Sequence, residues 1–559
     1  MAKEIRELIE HCKTHNTGPK DAAIGMLAVI WDSQSKFCQC YNVSKNDVVD
    51  IWAKNNPTQV KHLKSASLEE QAYLCSTLYS SLLDENKQAT LCCYFTPPFL
   101  ANRLINQVFE YDTAKYSNAT IADLSAGGGA FLLPVAKYLL SKYNHYTPIV
   151  KLKKLEAALI GVDICQELLE LCSLYLSKLS FALIVETDYI PKWKLYCQNS
   201  LYINDIDRAD IILCNPPYRK LTVEEHKEYK KSYHKVMNGN SNLYALFIQK
   251  AIELSKTDAL IGFVTPSSLL TGVHFNKTRQ FIRSKANVIG IDLMKGRSKY
   301  FNTVLQETIL FFINKEGTDI DETRLYEIDS KGNEKNLGFI NIPTGNKAWI
   351  CHRSPTQLDK NVTELIYKKQ HNLISLGFKV NIGSYVWNRD PSDKLQKAPS
   401  KKNHTDYFPV IYPEMICEYE FNFNKYRKKT NKARWIRPRG KALIKSMPSL
   451  VLKRTRASNC ATPIMSALID DSFIATHKCY VPENHVIYIT HETNCQVALK
   501  TLSKLFASEL MGYLHACVNS TNSLSKASLL NMPMPSRAKF ESFNDRPICE
   551  IELIKELER

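Results

Sequence analysis

The chain has 559 residues and a formal net charge of +17, with 44% hydrophobic and 23% charged residues. This length exceeds what one hydrophobic core usually serves and predicts two large domains, and the composition is typical of a soluble globular protein. No apolar run approaches the roughly 18 residues of a membrane-spanning helix, and the N-terminus lacks the apolar core of a signal peptide, so we expect a cytoplasmic protein. The 17 cysteines follow no metal or disulfide spacing, so we expect no metal site.

Three regions follow one another along the chain. Residues 1–90 place apolar side chains at the three- and four-residue spacing of helices. Residues 91–345 alternate short apolar strands with helices, which predicts a doubly wound α/β sheet that binds ligands at the carboxyl ends of its strands. About twelve residues separate the last two strands, NVIGIDLM and ETILFFIN, too few for a helical crossover, so we expect an antiparallel pair and a mixed sheet. Residues 346–559 lose the alternation and form a second domain.

The segment IADLSAGGGAFLLPVAKYLL, residues 121–140, predicts a strand, a glycine-rich turn and a helix. Its glycines let the backbone pass close to a ligand, and the amides at the start of a helix can bind an anion. Any tight turn between a strand and a helix favours glycine, so this signal is weak by itself. The spacing matches neither a dinucleotide fingerprint nor a P-loop, which makes ATP an improbable ligand.

Asp163 ends the next strand, ALIGVD. A carboxylate at this place in a nucleotide-binding sheet commonly accepts from both hydroxyls of a ribose. Forty residues separate it from Asp123, more than the roughly twenty expected, and the polar residues 141–155 can form an insertion that accounts for the excess. A plain helix cap is the alternative role for Asp163.

The third polar strand end is NPPY, residues 215–218, after the strand ADIILC. Its two prolines remove two backbone donors and fix two φ angles, which ends the strand in a stiff turn. The Asn215 side-chain oxygen and the Pro216 carbonyl can both accept hydrogen bonds from one amino group, and Tyr218 offers a flat face to an aromatic ring. A strand-ending turn explains the prolines but not the polar asparagine beside them.

A basic stretch lies in the second domain. From Lys425 to Arg456 there are thirteen Lys or Arg residues and no Asp or Glu, together with Tyr426 and Trp435. This composition is typical of a surface that contacts phosphates. A solvated loop is the alternative.

Four motifs together resemble a known family. FTPP (95–98), ADLSAGGGAF (122–131), GVD (161–163) and NPPY occur in the order found in the gamma-class N6-adenine DNA methyltransferases of bacterial type II restriction-modification systems. The likeness covers about residues 95–315 closely. It implies an α/β, class I S-adenosylmethionine-dependent methyltransferase fold with a Rossmann-like mixed sheet, a helical N-terminal extension and a C-terminal α+β target-recognition domain.

The resemblance implies a role for each matching residue. The residues expected to bind S-adenosylmethionine are Phe95, Thr96 and Pro97 around its methionine part, Asp123, Ser125, Gly127 and Gly129 beneath it, Asp163 at its ribose, and Asn199, where many relatives carry Asp, at its adenine. The residues expected at a flipped target adenine are Asn215, Pro216, Pro217 and Tyr218 of the catalytic motif, with Phe301 stacking on the base. The residues expected to contact double-stranded DNA are Arg434, Arg437 and Arg439.

The sequence leaves other functions open. The same NPPY motif serves methyltransferases that act on a protein glutamine amide, RNA adenine has the same amine, and a catalytically silent DNA-specificity subunit would retain the fold. The large basic second domain and the intact motifs favour a DNA methyltransferase. We also expect it to act as a monomer and to protect DNA from a cognate restriction endonuclease. No fused endonuclease is expected, because the first ninety residues carry no PD…ExK arrangement.

Overall fold

The computed structural model describes residues 3–91, 95–111, 118–204, 206, 208–239, 241–294, 307–315, 322–329, 331–345, 347–397, 406–417, 420–425, 432–440, 443–454, 464–493, 495–518 and 524–558. The chain divides into two compact units, Met1–Ala348 and Trp349–Arg559.

The first unit begins with helices whose starts follow local sequence signals. Pro19 and Pro57 occupy first-turn positions, where a missing amide hydrogen does no harm, and Ser67 with Glu70 forms a capping box. The first six of these helices share one hydrophobic core with two later helices of the same unit. The N-terminal helices are α1 (Lys3–Thr14), α2 (Pro19–Ile30), α3 (Lys36–Cys40), α4 (Asp47–Asn55), α5 (Pro57–Ser65), α6 (Leu68–Ser81) and α7 (Glu85–Leu91).

A mixed sheet forms the centre of the first unit. Its strands are β1 (Ile121–Asp123), β2 (Leu159–Asp163), β3 (Lys194–Cys197), β4 (Ala209–Cys214), β5 (Ser255–Pro266), β6 (Ala286–Met294), β7 (Thr308–Lys315), β8 (Thr323–Ile328) and β9 (Glu334–Ile340). Within the described residues their order is β3-β2-β1-β4-β5-β7-β6-β8-β9. The first five run parallel, and β7 lies antiparallel to both β5 and β6, which confirms the predicted antiparallel pair.

Helices cover both faces of this sheet. They are α8 (Pro98–Tyr111), α9 (Leu132–Lys142), α10 (Pro148–Ala158), α11 (Gln166–Thr187), α12 (Val223–Tyr233), α13 (Leu243–Leu254), α14 (Ser268–Thr271) and α15 (Asn276–Lys285). The extra residues between β1 and β2 form α10, where the sequence had indicated only a polar insertion. The strand order reverses between β1 and β4, and in such sheets ligands bind at the carboxyl ends of the strands beside the reversal.

One helix departs from the expectation that no apolar run is long enough to span a membrane. Among the described helices, α11 has 22 residues and is long and apolar enough to span a membrane, judged by length and composition alone. Half of its apolar window is buried inside the fold, and Tyr175 on it is fully buried in the core shared with the N-terminal helices. A core helix of a globular protein has the same apolar composition.

The second unit mixes small sheets with helices. Its strands are β10 (Phe378–Ile382), β11 (Asp393–Leu395), β12 (Phe408–Ile411), β13 (Ile416–Cys417), β14 (Glu420–Phe421), β15 (Trp435–Arg437), β16 (Ser449–Lys453), β17 (Ser466–Ile469), β18 (Val481–Pro482) and β19 (Val486–His491). Its helices are α16 (Gln357–Lys368), α17 (Asp471–His477), α18 (Gln496–Ala507), α19 (Glu509–Val518), α20 (Lys526–Asn531), α21 (Arg537–Ser542) and α22 (Glu550–Glu558). In the described residues the strands pair as β10-β19-β16-β17, β11-β15-β12-β18 and β13-β14.

Candidate active site

Three polar strand ends meet at one edge of the first unit's sheet. In the parallel register Asp123 is level with Gly161 of β2 and with Leu213 of β4. The carboxyl ends of these strands therefore bring the glycine turn, Asp163 and the NPPY motif together, as the sequence predicted.

The glycine turn is held directly by Asp163. The Gly127 amide donates to one carboxylate oxygen of Asp163 at 2.8 Å, and the Cys165 amide donates to the other at 2.9 Å. Gly127 and Gly129 have φ angles of +47° and +85°, in the left-handed region that favours glycine. A Cβ on Gly129 would also lie 2.8 Å from Cys172 Sγ, so the tight turn requires glycine there.

Asp163 is not the N-cap of α11, because Cys165 occupies that position and makes no side-chain cap bond. The Asp163 carboxylate instead accepts from the Cys165 amide ahead of the helix and from the Gly127 amide, which orders the turn. Burial raises the pKa of its carboxyl, and the backbone amides of Cys165 and Gly127 partly offset that rise. Each oxygen keeps a lone pair that could accept from a ribose hydroxyl. Ile164 beside it is 51% exposed, an apolar surface at this edge that the sequence analysis missed.

Asp123 is a buried carboxyl beneath the turn, with 1% of its surface exposed. One oxygen accepts from the Ser125 amide at 3.0 Å, and the other has no hydrogen-bond partner in the part of the chain described. Burial raises the pKa of this carboxyl to about 8, the Ser125 amide opposes the rise, and the Asp163 charge adds to it. The Ser125 hydroxyl lies 3.2 Å from Cys214 Sγ, which ties the turn to the end of β4.

NPPY and FTPP are joined by hydrogen bonds. Asn215 Nδ2 donates to Thr96 Oγ1 at 2.9 Å, and the Tyr218 hydroxyl lies 2.5 Å from Asn215 Oδ1 and 2.9 Å from the Val264 carbonyl. The phenol has one proton, so it donates fully to one of these two acceptors at a time. The Asn215 amide is thus oriented by groups on both sides.

The remaining residues of the two motifs differ in exposure. Pro216 is buried and Pro217 partly buried. Tyr218 is 8% exposed, and its ring lies edge-on to Tyr244 with the centroids 6.3 Å apart. The Phe95 ring lies against Gly127, since a Cβ there would be 3.4 Å from Phe95 Cε1, and Pro97 precedes α8.

Asn199 is placed at the expected edge, after β3, but its amide is engaged within the protein. Its oxygen accepts from the Leu201 amide at 3.0 Å and its nitrogen donates to the Tyr229 hydroxyl at 3.2 Å. The neighbouring Ser200 hydroxyl donates to the Leu124 carbonyl at 2.6 Å. This loop is therefore held against the glycine turn, and one lone pair of the Asn199 oxygen is left for a ligand.

Helix α6 supplies a wall that the sequence analysis did not predict. A small cavity of about 20 Å³ lies beside the glycine turn, lined from α6 by Glu69, Ala72, Tyr73 and Ser76, and otherwise by Phe95, Thr96, Pro98, Gly128, Gly129, Ala130, Leu133 and Pro134. A Cβ on Gly128 would lie 2.3 Å from Ser76 Oγ, so α6 touches the turn itself. No local signal indicates this contact, because 52 residues of chain separate its partners.

Phe301 lies outside the described residues.

The three arginines of the basic stretch belong to the second unit and differ in their surroundings. Arg434 stacks 4.7 Å over the Phe423 ring and donates to Asn424 at 2.9 Å. Arg437 is exposed, with Asp393 and Asp406 at 3.9 and 4.0 Å, and Arg439 is exposed with no side-chain partner among the described residues.

The basic stretch is free of acids only along the sequence. Asp393 and Asp406, which lie near Arg437, come from other segments of the second unit, and Lys432 pairs with Glu414 at 3.1 Å. The described part of the stretch is therefore a mixed surface rather than a uniformly cationic one.

The sheet order and the edge just described define the class of fold. The sheet has five parallel strands in the order β3-β2-β1-β4-β5, then β7, which is antiparallel to both its neighbours β5 and β6. A glycine turn follows β1 and an acid ends β2. This arrangement is the class I S-adenosylmethionine-dependent methyltransferase fold. The fold class predicted from the sequence is confirmed.

Comparisons with known proteins agree with this class. Residues 158–301 match the family described as Eco57I restriction-modification methylase. The type II methyltransferase M.PstI of Providencia stuartii is 22% identical over 255 residues, 44% of this chain and 48% of that protein. The type II restriction enzyme and methyltransferase RM.Eco57I of Escherichia coli is 23% identical over 397 residues, 59% of this chain and 37% of that protein. The chain spans less than half the length of these relatives.

Solved structures share the fold at low identity. The type IIL restriction-modification enzyme MmeI, solved in complex with DNA, aligns with a TM-score of 0.59 and 14% identity over 84% of this chain and 72% of that one. The ATP-dependent type ISP enzyme LlaBIII, bound to DNA, aligns with a TM-score of 0.52 and 12% identity over 97% of this chain and 46% of that one. The resemblance to methyltransferases of restriction-modification systems is confirmed.

Proposed function

We propose that this protein is a site-specific DNA methyltransferase that transfers a methyl group from S-adenosylmethionine to the N6 amino group of a flipped adenine. The observation that carries the proposal is the hydrogen-bonded group Thr96, Asn215 and Tyr218, located at the sheet edge that also holds the glycine turn and Asp163. The match to a restriction-modification methylase family and the similar fold of a restriction-modification enzyme solved in complex with DNA support action on DNA within such a system.

The residues at the edge fit the cofactor. The turn leaves backbone close to a ligand through left-handed glycines, and the buried Asp123 carboxyl lies beneath it. Asp163 would accept from the ribose hydroxyls, Ile164 and Asn199 would contact the adenine, and Phe95, Thr96 and Pro97 would enclose the methionine part. When bound, the cofactor supplies an electrophilic methyl group on a sulfonium.

The protein's own contribution is orientation and hydrogen-bond acceptance. The Asn215 oxygen and the Pro216 carbonyl would each accept a hydrogen bond from the target amine, which keeps electron density on its nitrogen and stabilises the positive charge that develops there. The methylated nitrogen would then release one proton to solvent water. Thr96 and the Tyr218 hydroxyl would hold the Asn215 amide in place. Removing the adenine from a duplex costs a few kcal/mol, which stacking on Tyr218 and Phe301 would partly offset.

A methylation assay tests the proposal. Purified protein is incubated with isotopically labelled S-adenosylmethionine and duplex DNA, RNA or a glutamine-containing peptide, and the modified product is identified by mass spectrometry. We expect N6-methyladenine in duplex DNA. Label in RNA or in the peptide amide, or label in another DNA base, would contradict the proposed substrate. Cofactor binding without any transfer would favour the silent specificity subunit.

The Asn215→Ala variant tests the catalytic assignment in the same assay. We expect a rate loss on the order of 10²-fold or more, because one acceptor at the reacting amine is removed, while cofactor affinity is retained. Asn361→Ala, at an exposed position of α16, is the matched control and should retain full activity. A mutant at position 215 with more than half of the normal turnover would refute the role of Asn215.

The biological setting is part of the same proposal. A cytoplasmic, monomeric enzyme would protect cellular DNA from a cognate restriction endonuclease that recognises the same site. Single-molecule sequencing of DNA from cells that express the chain should reveal one modified adenine within one short motif. Random or absent modification would contradict site-specific protection.

A further inference from the structure

Helix α12 follows the NPPY motif and has two opposite faces. Tyr229 and Tyr233, one turn apart, are buried against the unit. Lys227, Lys230 and Lys231 are exposed on the other side of the helix, as the 3.6-residue period requires.

These lysines have no carboxylate partner within 4.0 Å in the described part of the chain, although α12 itself carries three glutamates. Glu225 is bound by Arg219 through two bonds of 2.7 and 2.5 Å, and Glu228 accepts from the Tyr202 hydroxyl. Glu224 lies in the first helical turn, where a negative charge is favourable. The three lysines therefore have no ion pair that a phosphate would have to replace, although Glu224 and Glu228 keep their charge on the same helix. Lys235, exposed in the turn after the helix, adds a fourth ammonium group.

The segment that carries α12 starts and ends at the catalytic edge. The Leu221 amide donates to the Ser241 carbonyl at 3.1 Å, and the Leu243 amide donates to the Arg219 carbonyl at 2.8 Å. These bonds close residues 219–243 into a loop whose two ends meet directly after Tyr218. The Tyr229 hydroxyl also accepts from Asn199 at the same edge. The position of the helix is thus set by the site itself.

We propose that this lysine face binds the phosphates of the duplex that flank the target base, so that the catalytic unit has its own contact with the DNA backbone. The inference rests on the proposed function. From Lys227 to Lys235 the helix and its turn advance roughly 12 Å, over which one DNA strand passes roughly three to four phosphates. Lysine binds phosphate as a point charge, which positions a duplex without reading its sequence.

A salt titration tests the inference. Anisotropy of a short dye-labelled duplex is measured from about 50 to about 200 mM salt for the intact protein and for a triple variant in which Lys227→Ala, Lys230→Ala and Lys231→Ala are combined. We expect weaker binding by the variant and a salt slope reduced by about 0.9 for each lost phosphate contact, with unchanged S-adenosylmethionine affinity. The same slope for both proteins would overturn the inference.

A matched control uses three exposed lysines close to the opposite end of the strands. Lys142 lies at the end of α9, Lys153 on α10, which leads into β2, and Lys192 lies just before β3. The triple alanine variant at these positions removes the same net charge and should keep the normal slope. An equal loss of slope in both triple variants would show a general charge effect and would overturn the inference.

A second measurement does not depend on how a variant folds. Lysines of the unmodified protein are acetylated with and without duplex DNA, and mass spectrometry measures the protection of each one. We expect protection at Lys227, Lys230 and Lys231 but not at the three control lysines. Equal reactivity with and without bound duplex, or protection by RNA alone, would overturn the assignment. If the protein binds no duplex at all, the proposed function itself fails.

Discussion

Tyr218 presents two chemically different groups to the site, a ring and a hydroxyl. The sequence suggested only the ring, as a stacking face for the target adenine. The structure adds that the hydroxyl lies between Asn215 Oδ1 and the Val264 carbonyl, so that the same residue would also orient the catalytic amide.

Two substitutions separate these roles. Tyr218→Phe keeps the ring and loses a hydrogen bond worth about 0.5 to 1.5 kcal/mol, so we expect a few-fold to ten-fold lower methylation rate. Fluorescence of 2-aminopurine at the target position should stay at the normal level, because base capture is retained. Tyr218→Ala should lower the methylation rate further and also abolish the 2-aminopurine signal of base capture. The lost stacking face weakens binding of the flipped base by roughly 1 to 3 kcal/mol. A Phe variant that impairs base capture as much as the Ala variant would contradict this division.

Asp123 predicts a pH dependence of stability. Its pKa is raised from the ordinary 3.8 to about 8 by burial, so between these values the folded protein holds a proton that the unfolded chain has released. The contribution of this group to the free energy of unfolding is therefore highest below about pH 4. It falls as the pH rises toward 8, by at most about 1.4 kcal/mol per pH unit.

The non-titrating variant Asp123→Asn provides the measurement. Its stability relative to the unmodified protein should increase as pH rises from 5 to 8, in denaturant titrations at each pH. Asp545→Asn, at an exposed position of the second unit, is the control and should give a parallel profile. If the profile of Asp123→Asn also ran parallel to that of the unmodified protein, the Asp123 carboxyl would be ionised in the folded protein over this whole pH range.

At the scale of elements, the contact between α6 and the glycine turn gives the N-terminal helices a role in the site. The helix reaches the turn because its face packs on α11, where the Tyr79 hydroxyl donates to Glu167 at 2.6 Å, and because Glu69 pairs with Lys137 of α9 at 2.7 Å. We infer that the N-terminal region supports the cofactor pocket.

A compensating pair of substitutions tests this contact. Gly128→Ala places a Cβ 2.3 Å from Ser76 Oγ, so we expect lower stability and weaker S-adenosylmethionine binding. Adding Ser76→Ala removes that oxygen and leaves Ser76 Cβ at 3.5 Å, an ordinary contact, so binding should recover in calorimetry. Gly127→Ala, strained by its φ of +47°, should not be rescued by Ser76→Ala. A Gly128→Ala variant with normal affinity would mean that α6 does not support the turn.

At the scale of the whole molecule, the charge of +17 is divided between cations that pair internally and cations that remain exposed. In the second unit Arg434 and Lys432 are partly buried against neighbouring side chains. Arg437 is exposed although it lies 5.1 Å over the Tyr407 ring, and Arg439 is exposed with no side-chain partner among the described residues. A charge count along the sequence treats these residues alike, although they differ in what they can bind.

Their substitutions should therefore have different effects. Arg437→Ala with Arg439→Ala should weaken DNA binding and reduce its salt slope by about 0.9 for each lost phosphate contact, with a small loss of stability from the exposed Arg437 contact with Tyr407. Arg434→Ala should instead lower stability by about 0.5 to 1 kcal/mol, because its cation–π contact with Phe423 is lost. Anisotropy titrations and thermal melts of the same preparations measure both effects. An unchanged slope in the double variant would make those two arginines a solvated surface.

Much of the fold and of the candidate site followed from local sequence. Strand ends at Asp123, Asp163 and Asn215 were predictable because apolar runs stop there, and parallel strands bring such ends to one edge. The antiparallel β6 and β7 followed from the short connection between them. Asn199 and Arg434 could not be assessed in this way, because the groups that engage their side chains, Tyr229 and Phe423, are recognised only by proximity in the fold.

Periodicity and strand termination are properties of neighbouring residues, so they were enough to predict the class I sheet, the order of its motifs and the residue types at its catalytic edge. Three facts required the folded chain: Ser76 supports the glycine turn, Thr96 and Tyr218 orient the Asn215 amide, and the lysines of α12 face outward. The contact between Thr96 and Asn215 joins residues 119 positions apart, and the contact of Ser76 with the turn joins two elements of the fold in the same way. Tyr218 lies three residues from Asn215, and its hydroxyl is oriented by the distant Val264 carbonyl. Hydrophobic burial decides such packing, and the buried face of a helix, collectively for the whole unit.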